Sequence, residues 1–305
     1  MDKVTFLNFP RCEQLDQIQA KAVILGVPTV HPYGTEDTDQ HLAPRAIREE
    51  SQRLSLGLDR YDFDLGGAVF AAPDFCVVDG GDIPEAFIAD KEYVENIVRT
   101  ILDRGVVPIF LGGDHSATIP IMRGFREHGP LTVVQIDAHI DWRDEVNGVR
   151  DGYSSPMRRA SELPFVDGIF QLGLRAQGSA GEIEVRDALA YGAQLITAYE
   201  IHAQGMDAIL QRIPPHRRYY LTIDADGLDP AVMPAVAGPA AGGLWYYQVR
   251  QLIHGLAQLG TLAGMDIVEI TPSRDVNGIT ALTAGQLILN FLGAVYHQQN
   301  RPAEG

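Results

Sequence analysis

The stretch LTVVQIDAHID, residues 131–141, is an apolar run that ends in three polar side chains at alternate positions, Asp137, His139 and Asp141. Alternate residues of an extended chain point to the same side. Two carboxylates and one imidazole on one side of a strand end form a ligand set for a divalent cation of the Zn, Mn, Ni or Fe type. Three polar residues in an exposed loop would give the same short pattern, so the stretch needs support from the rest of the chain.

Two other apolar runs end in the same manner. Residues 219–223 lead into Asp224 and Asp226, and residues 107–111 lead through a glycine pair to His115. The carboxyl ends of parallel strands open on one side of a sheet. We therefore expect all three sets of side chains to meet in one cleft.

The resulting cluster would carry more negative charge than it can hold without cations. Its four aspartates would repel one another strongly, whereas two divalent ions carry four positive charges that match them. A single ion would leave an excess of negative charge. We therefore predict two divalent metal ions per chain, with the ligands His115, Asp137, His139, Asp141, Asp224 and Asp226.

Strand and helix patterns alternate along the whole chain. Further β-branched runs bounded by turn residues lie at 22–27, 76–79, 169–174, 194–197 and 263–270, and apolar helical stripes lie at 94–102 and 249–256. This alternation predicts parallel strands joined by crossovers. We expect one α/β domain over residues 1–305, with a mainly parallel eight-stranded sheet flanked by helices on both faces and a frayed tail at 298–305.

Several segments are expected to shape the site rather than to bind metal. Three polar or Pro/Gly-rich stretches are too long for ordinary connections and are interpreted as loops around the site: 30–42, 141–156 and 230–243. Asp114 either fixes the tautomer of His115 or caps the next helix. Asp229 is expected to organise its loop by turn hydrogen bonds.

The chain is acidic, with 24 Lys and Arg residues against 40 Asp and Glu residues and a net charge of -16. This balance argues against nucleic acid as a partner, because a phosphate backbone needs clustered cations. It would attract a cationic small molecule to an acidic cleft, although a solvated acidic surface gives the same number.

The setting of the protein is predicted from its cysteines and its apolar runs. Only Cys12 and Cys76 are present, so no disulfide framework is expected and a reduced, cytoplasmic setting is the default. The N-terminus has no long apolar run behind basic residues, and no stretch approaches the ~18 apolar residues of a membrane span. We therefore expect neither export nor a membrane partner.

Taken together, the motifs resemble those of one enzyme superfamily. GGDHS from Gly112, DAHID from Asp137 and DADGLDP from Asp224, in this order and at this spacing, resemble the ureohydrolases: arginases, agmatinases and other guanidino-compound hydrolases. The resemblance spans most of the chain and includes the segments 26–28, 44–48, 79–82 and 266–269. It implies an arginase-like fold and an assembly into trimers or hexamers. It also implies Mn as the usual ion, although Ni suits histidine and carboxylate ligands as well, so the two ions are expected to be Mn or Ni.

The resemblance also implies how the ligands are shared. One ion would be held by His115, Asp137, Asp141 and Asp224, and the other by His139, Asp137, Asp224 and Asp226, so that Asp137 and Asp224 bridge the two. Two cations that share one water lower its pKa and supply a hydroxide near neutral pH, which can attack the poorly electrophilic guanidinium carbon.

Two carboxylates are implied to act on the substrate. Asp141 would relay a proton to the departing amine. Glu269 would pair with the guanidinium and orient it over the ions, although a structural acid at a strand end is the alternative.

Two segments depart from the family pattern. Tyr153 stands in a Tyr-Ser-Ser-Pro segment where arginases and agmatinases usually carry His-Gly-x-Pro. Tyr153 can donate or accept a hydrogen bond there and is a third catalytic candidate beside Asp141 and Glu269. A phenol with a pKa of about 10 is nevertheless a poor proton shuttle at neutral pH, so either catalysis does without that histidine or another residue replaces it. Residues 234–239 read PAVAGP in place of PGTGTP, which predicts a more apolar pocket around Val236; a drifted loop with unchanged specificity is the alternative.

Aromatic residues lie near these departures, among them Trp142, Tyr153 and residues 245–247. Aromatic faces hold alkylated cations, although core packing explains each residue equally well. We expect a substrate pocket formed by Glu269, Trp142, Tyr153 and Val236. The expected substrate is a cationic guanidino compound, such as guanidine, an alkylguanidine or a biguanide like metformin, from which urea or a similar amide is released.

Three other functions share parts of this pattern. A formiminoglutamase-type hydrolase would use the same cluster on another amidine, but no clear Arg or Lys set is assigned to a substrate carboxylate. A metal-binding, catalytically weak subunit could assemble with an active paralogue, since the shuttle histidine is missing. The related deacetylases use one zinc ion, and the presence of both His115 and Asp226 argues against them.

Overall fold

Eight parallel strands form the central sheet in the computed structural model, which describes residues 4–30, 32–33, 38–70, 75–178 and 180–299. The strands are β1 (Ala22–Val27), β2 (Val77–Asp82), β3 (Val107–Gly112), β4 (Leu131–Ile136), β5 (Val166–Leu174), β6 (Gln194–Thr197), β7 (Arg218–Asp224) and β8 (Thr261–Val268). They lie in the order β2-β1-β3-β8-β7-β4-β5-β6, and each neighbouring pair is parallel. The predicted single α/β domain with an eight-stranded sheet is confirmed, and the predicted strands differ from the observed ones by a few residues at most.

Helices cover both faces of this sheet. They are α1 (Ala43–Ser55), α2 (Glu85–Ile88), α3 (Lys91–Asp103), α4 (Thr118–Gly124), α5 (Pro156–Ser161), α6 (Glu182–Tyr191), α7 (Ala198–Gln204), α8 (Met206–Leu210), α9 (Tyr246–Leu259) and α10 (Ile279–Gln299). α1, α9 and α10 pack over one apolar cluster, and α3 and α4 pack over another. Ile109 and Phe110, adjacent on β3, enter opposite clusters, as expected for a strand that is buried on both faces.

The helix α10 differs from two expectations from the sequence. One was that no stretch approaches a membrane span in length and apolar character, and the other was that the tail frays from residue 298. The helix has 21 residues and is long and apolar enough to cross a membrane, but 83% of its most apolar window is buried inside the fold. It is therefore a core helix. Its last turn includes Gln298, whose amide donates to Ala257 O at 2.9 Å and accepts from Leu262 N at 3.1 Å, so the predicted frayed tail does not begin at residue 298. Residues 300–305 lie outside the described residues.

The strand order decides where the predicted ligands meet. β8, the last strand of the chain, lies at the centre of the sheet between β3 and β7, and β4 follows β7. The carboxyl ends of these four strands therefore open side by side. At this edge Gly113 lies against the backbone of Thr29, and a Cβ atom at this position would be only 2.1 Å from Thr29 O. Only glycine therefore fits here.

A buried ion pair ties α1 to β2 near the edge of the sheet. Arg48 donates from Nε to Asp79 Oδ2 at 2.8 Å, and from Nη2 to Asp79 Oδ1 at 3.1 Å and to Gly81 O at 2.9 Å. The side chains of Arg48 and Asp79 are only 5% and 0% exposed. Such a pair is costly to break, because the remaining partner is left as an unpaired buried charge.

We expect Arg48→Met to lower the free energy of unfolding by about 3–5 kcal/mol, the usual loss when one partner of a buried pair is removed. The matched control is Arg45→Met on the same helix, since Arg45 pairs with Glu49 at 2.7 Å but is exposed. Its loss should be much smaller, because water screens an exposed ion pair. Urea unfolding followed by circular dichroism measures both values, and equal losses would contradict the interpretation.

Candidate metal centre and substrate cavity

The predicted metal ligands lie at the end of β7 and in the loops that follow β3, β4 and β7. His115 opens a 3-10 turn, His115–Ala117, directly after β3. Asp226 lies in a second such turn, Ala225–Gly227, which directly follows Asp224, the last residue of β7. The four aspartates and His115 are buried, and His139 is partly exposed.

The first group of ligands surrounds Nδ1 of His115. This nitrogen lies 2.8 Å from Asp141 Oδ2 and 3.3 Å from an Oδ2 atom of both Asp137 and Asp224. It is buried and, among the residues that the structure describes, it has no hydrogen-bond partner. An imidazole nitrogen and three carboxylate oxygens that converge in this way fit a divalent transition metal.

The second group lies beside the first. Nδ1 of His139 is 3.2 Å from Asp226 Oδ2 and 3.4 Å from Asp137 Oδ1. Ligand atoms of these three residues all lie within 4.8 Å of one another. Backbone amides support the carboxylates, because Ala138 N donates to Asp226 Oδ1 at 3.1 Å and Asp226 N donates to Asp224 Oδ1 at 2.8 Å.

The hydroxyl group of Thr222, which is held by Asp266, fixes the tautomer of His115. Its Nε2 lies 3.1 Å from Thr222 Oγ1, and Thr222 Oγ1 donates its proton to Asp266 Oδ1 at 2.6 Å. The threonine must therefore accept the proton on Nε2, which leaves the lone pair of Nδ1 facing the three carboxylates. Thr118 and Tyr220 donate to the other oxygen of Asp266 at 2.9 and 2.8 Å.

The structure shows the roles of two aspartates beside the ligands, Asp114 and Asp229. Asp114 accepts from Ser116 N at 3.1 Å and caps the 3-10 turn, while Thr222 takes the place next to His115. Asp229 accepts from Ala231 N at 2.9 Å and from Gly242 N at 2.8 Å. It thus holds its loop together by hydrogen bonds, as predicted.

The pKa values of the cluster reflect its excess of negative charge. Burial, together with the charge of Asp137, raises the pKa of Asp141 to about 7, and burial raises the pKa of Asp224 well above its usual range. Hydrogen bonding to Asp137 raises the pKa of His139 to about 12. Protons thus supply positive charge where no metal is bound, and two divalent cations would do so instead. The donor set and its charge therefore fit the predicted ions.

Glu269 lies next to this cluster, at the end of β8. Its Oε1 accepts from His115 N at 2.7 Å, and its Oε2 accepts from Gln40 Nε2. Burial raises its pKa to about 8, so Glu269 ionises fully at neutral pH only when a cation lies beside it. Its φ angle of 65°, like the 45° of Asp141, lies in the left-handed region that non-glycine residues rarely adopt. Such backbone strain is concentrated at functional positions, because the surrounding structure must hold it.

A cavity of about 250 Å³ opens onto the cluster. Its lining includes ligand residues and the loops around them: Gln40, His139, Asp141, Tyr153, Ser154, Asp224, Asp226, Ala237, Gly238 and Glu269. The ring of Tyr153 lies 4.6 Å from the ring of Tyr33, centroid to centroid, and Tyr33 and Ser154 share a hydrogen bond of 2.7 Å. The structure thus places Glu269, Tyr153 and four of the six predicted ligands on the wall of one cavity, namely His139, Asp141, Asp224 and Asp226. The other two ligands, His115 and Asp137, are buried and contact this group.

Two predicted pocket residues do not line this cavity. Trp142 is 1% exposed and packs in the apolar cluster under α4 and α5, with its ring 5.7 Å from that of Tyr191. Val236 is also 1% exposed, and its backbone forms an antiparallel bridge with Ile270 while its side chain joins the core. Core packing, the alternative considered for the aromatic residues, therefore accounts for Trp142. Of the loop 234–239, Ala237 and Gly238 face the cavity instead.

The motifs did not reveal several residues that support the site. Gln40 lines the cavity from a segment predicted only as a loop, and Arg175 donates to the carbonyls of Asp226 at 2.5 Å and Ala240 at 2.7 Å. Gln135 donates to Asp137 Oδ2 at 2.6 Å from within β4. The sequence offered one sign of the role of Gln135, which is a polar residue inside an otherwise apolar strand. It offered no comparable sign for Gln40 or Arg175.

Comparisons with known proteins agree with this geometry. The sequence matches the Arginase family over residues 20–293. A guanidinobutyrase of Pseudomonas aeruginosa is 31% identical over 299 residues, which cover 94% of this chain and 91% of the relative. The mitochondrial agmatinase of Gallus gallus is 30% identical over 285 residues, or 89% of this chain and 80% of the relative. The crystal structure of agmatine ureohydrolase of Thermoplasma volcanium matches with a TM-score of 0.80 and 27% identity, over 99% of this chain and 97% of that one. The chain therefore belongs to the arginase family and is a hydrolase that acts on amidino C–N bonds.

Proposed function

We propose that this protein uses two divalent ions, Mn or Ni, to hydrolyse a C–N bond of a compact guanidino compound, with release of urea or a similar amide and an amine. The observation that carries this proposal is the arrangement of Glu269 beside the His and Asp cluster in one small cavity. A carboxylate of this kind suits a guanidinium, whose paired N–H groups match two carboxylate oxygens.

The six predicted ligands would hold the two ions in two groups, His115 with Asp137, Asp141 and Asp224, and His139 with Asp137 and Asp226. Asp137 lies near both histidines, and the sharing of Asp224 stays an expectation from the family resemblance. When bound, the ions would lower the pKa of a water molecule and so make it a nucleophile near neutral pH. Asp141 lines the cavity and lies against His115, where it can carry a proton toward the departing amine.

The lining of the cavity favours a substrate without a charged tail. Apart from the cluster itself and Glu269, the described lining residues are neutral: Gln40, Tyr153, Ser154, Ala237 and Gly238. An agmatine-like ammonium would call for a further carboxylate, and a guanidinobutyrate-like carboxylate would call for a cation. A guanidine, an alkylguanidine or a biguanide needs neither, and Tyr153 offers it an aromatic face.

Two alternatives remain as proposals of lower rank. Formiminoglutamase-type activity would require a cation for the substrate carboxylate, and the described lining contains no Lys or Arg. A catalytically weak subunit that assembles with an active paralogue is consistent with Tyr153 in place of the family histidine. The trimeric or hexameric state and the cytoplasmic setting also stay predictions.

The first test concerns the metal ligands. We expect Asp226→Asn to reduce the metal content from about two ions per chain to about one, because the amide cannot supply the negative charge that the second ion needs. Asp229→Asn is the matched control, since Asp229 holds its loop by accepting hydrogen bonds and should leave both ions bound. Plasma mass spectrometry after loading with Mn or Ni measures the content. Retention of both ions by Asp226→Asn would refute the ligand assignment.

The second test concerns the substrate. We expect the metal-loaded protein to release amine and urea, or a similar amide, from alkylguanidines or alkylated biguanides faster than from arginine, agmatine or guanidinobutyrate, because the described lining offers no partner for a charged tail. Mass spectrometry of the products and a urea assay follow the reaction. Two bound ions without turnover of any of these compounds would favour the assembly-subunit alternative.

The third test concerns Tyr153. We expect Tyr153→Leu to raise KM for an N-alkylated guanidine roughly 2- to 30-fold, the range of a cation–π contact. Tyr153→Phe keeps the ring and should stay within about twofold of the wild type, because the phenyl face holds the cation nearly as well. If Tyr153→Phe lost as much as Tyr153→Leu, the hydroxyl rather than the aromatic face would be responsible.

A further inference from the structure

Gln40 occupies a place in the cavity that the mechanism above does not use. It begins a 3-10 turn, Gln40–Leu42, that leads directly into α1. Its side chain lines the cavity, is only 2% exposed, and donates from Nε2 to Glu269 Oε2. A buried amide in contact with the carboxylate that faces the substrate calls for an explanation beyond packing.

The orientation of this amide is determined by its other neighbour. Thr38 Oγ1 donates to Gln40 Oε1, so the oxygen of the amide is turned toward the threonine and the nitrogen toward Glu269. The adjacent residue secures the segment, because Asp39 accepts from Ser273 N at 2.8 Å and from Ser273 Oγ at 3.1 Å. Residues 38–40 are thus joined to the loop after β8 at two points.

Glu269 is therefore held by neutral donors on both oxygens. His115 N donates to Oε1 at 2.7 Å, and Gln40 donates to Oε2. Each carboxylate oxygen can accept a second hydrogen bond, so one acceptor position on each oxygen is still available to the paired N–H groups of a guanidinium. A Lys or Arg at the position of Gln40 would hold Glu269 as well, but its charge would compete with a cationic substrate.

We propose that Gln40 is a substrate-positioning residue, which fixes the plane of the Glu269 carboxylate for two-point binding of a guanidinium without neutralising its charge. This inference rests on the proposed function, because it requires a guanidinium at Glu269. It assigns Gln40 to substrate binding rather than to the chemical step.

The test compares Gln40→Met with wild-type protein loaded with Mn or Ni, and uses N-methylguanidine as the probe. Methionine has nearly the shape of glutamine but cannot donate, so KM for N-methylguanidine should rise about 10- to 100-fold, the effect of one lost hydrogen bond to a charged group, with kcat changed less than about threefold. Metal content should stay unchanged. Gln251→Met is the matched control, since Gln251 on α9 donates to Asp207, is partly exposed and lies outside the cavity.

Thr38→Val provides a second variant that keeps the glutamine. It removes the hydroxyl that orients the amide, so KM should rise by an intermediate factor while the fold and the metal content are unaffected. A KM in Gln40→Met within about twofold of the wild type, or a loss confined to kcat, would overturn the inference.

The two proposals fail in different ways. If the wild type hydrolyses N-methylguanidine and the Gln40→Met variant behaves identically, only the inference on Gln40 is wrong. If the wild type hydrolyses no guanidino compound, the proposed function is wrong, and calorimetric binding of N-methylguanidine decides the inference. Weaker binding by Gln40→Met than by the wild type supports it, whereas equal binding, or none in the wild type, overturns it.

Discussion

The repulsion among four buried aspartates at one edge of the sheet is the constraint on which the rest of the site depends. Asp137, Asp141, Asp224 and Asp226 are each at most 6% exposed, so water screens their charges poorly. The strands that carry them are held in place by apolar clusters on both faces of the sheet. The fold thus concentrates negative charge where only cations can relieve it, and this is the reason that it can serve as a metal centre.

The groups that orient this cluster are mostly neutral. Thr222 fixes His115, Gln135 donates to Asp137, and Gln40 with a backbone amide holds Glu269. Neutral donors set the geometry of a ligand without taking up the charge that a metal or a cationic substrate needs. Arg175 is charged, but it donates to the carbonyl oxygens of Asp226 and Leu228 rather than to the carboxylates of the candidate ligands.

The fold and the clustering of the candidate ligands could be predicted because both follow from local patterns. Apolar runs marked the strands, and acids at strand ends such as Asp137 and Asp224 could be assigned to one edge by the rule for parallel sheets. The residues that form the wall of the cavity could not be predicted in this way, because they depend on how distant segments of the chain pack together. Trp142 and Val236 are next to site residues along the chain, yet their side chains turn into the core. Gln40 reaches Glu269 across 229 positions of sequence, and no local pattern reports such a contact.

The central position of β8 has a consequence for how the site comes together. β3, which leads to His115, borders β8 on one side, while β7 and β4, which lead to the aspartates and His139, lie on the other. The group around His139 therefore comes from strands on one side of β8. The group around His115 combines residues from both sides of β8. β8 is also the last strand of the chain, and it is the strand that joins β3 to β7 in the sheet. The edge that brings His115 next to the aspartates can therefore be complete only when nearly the whole chain is present.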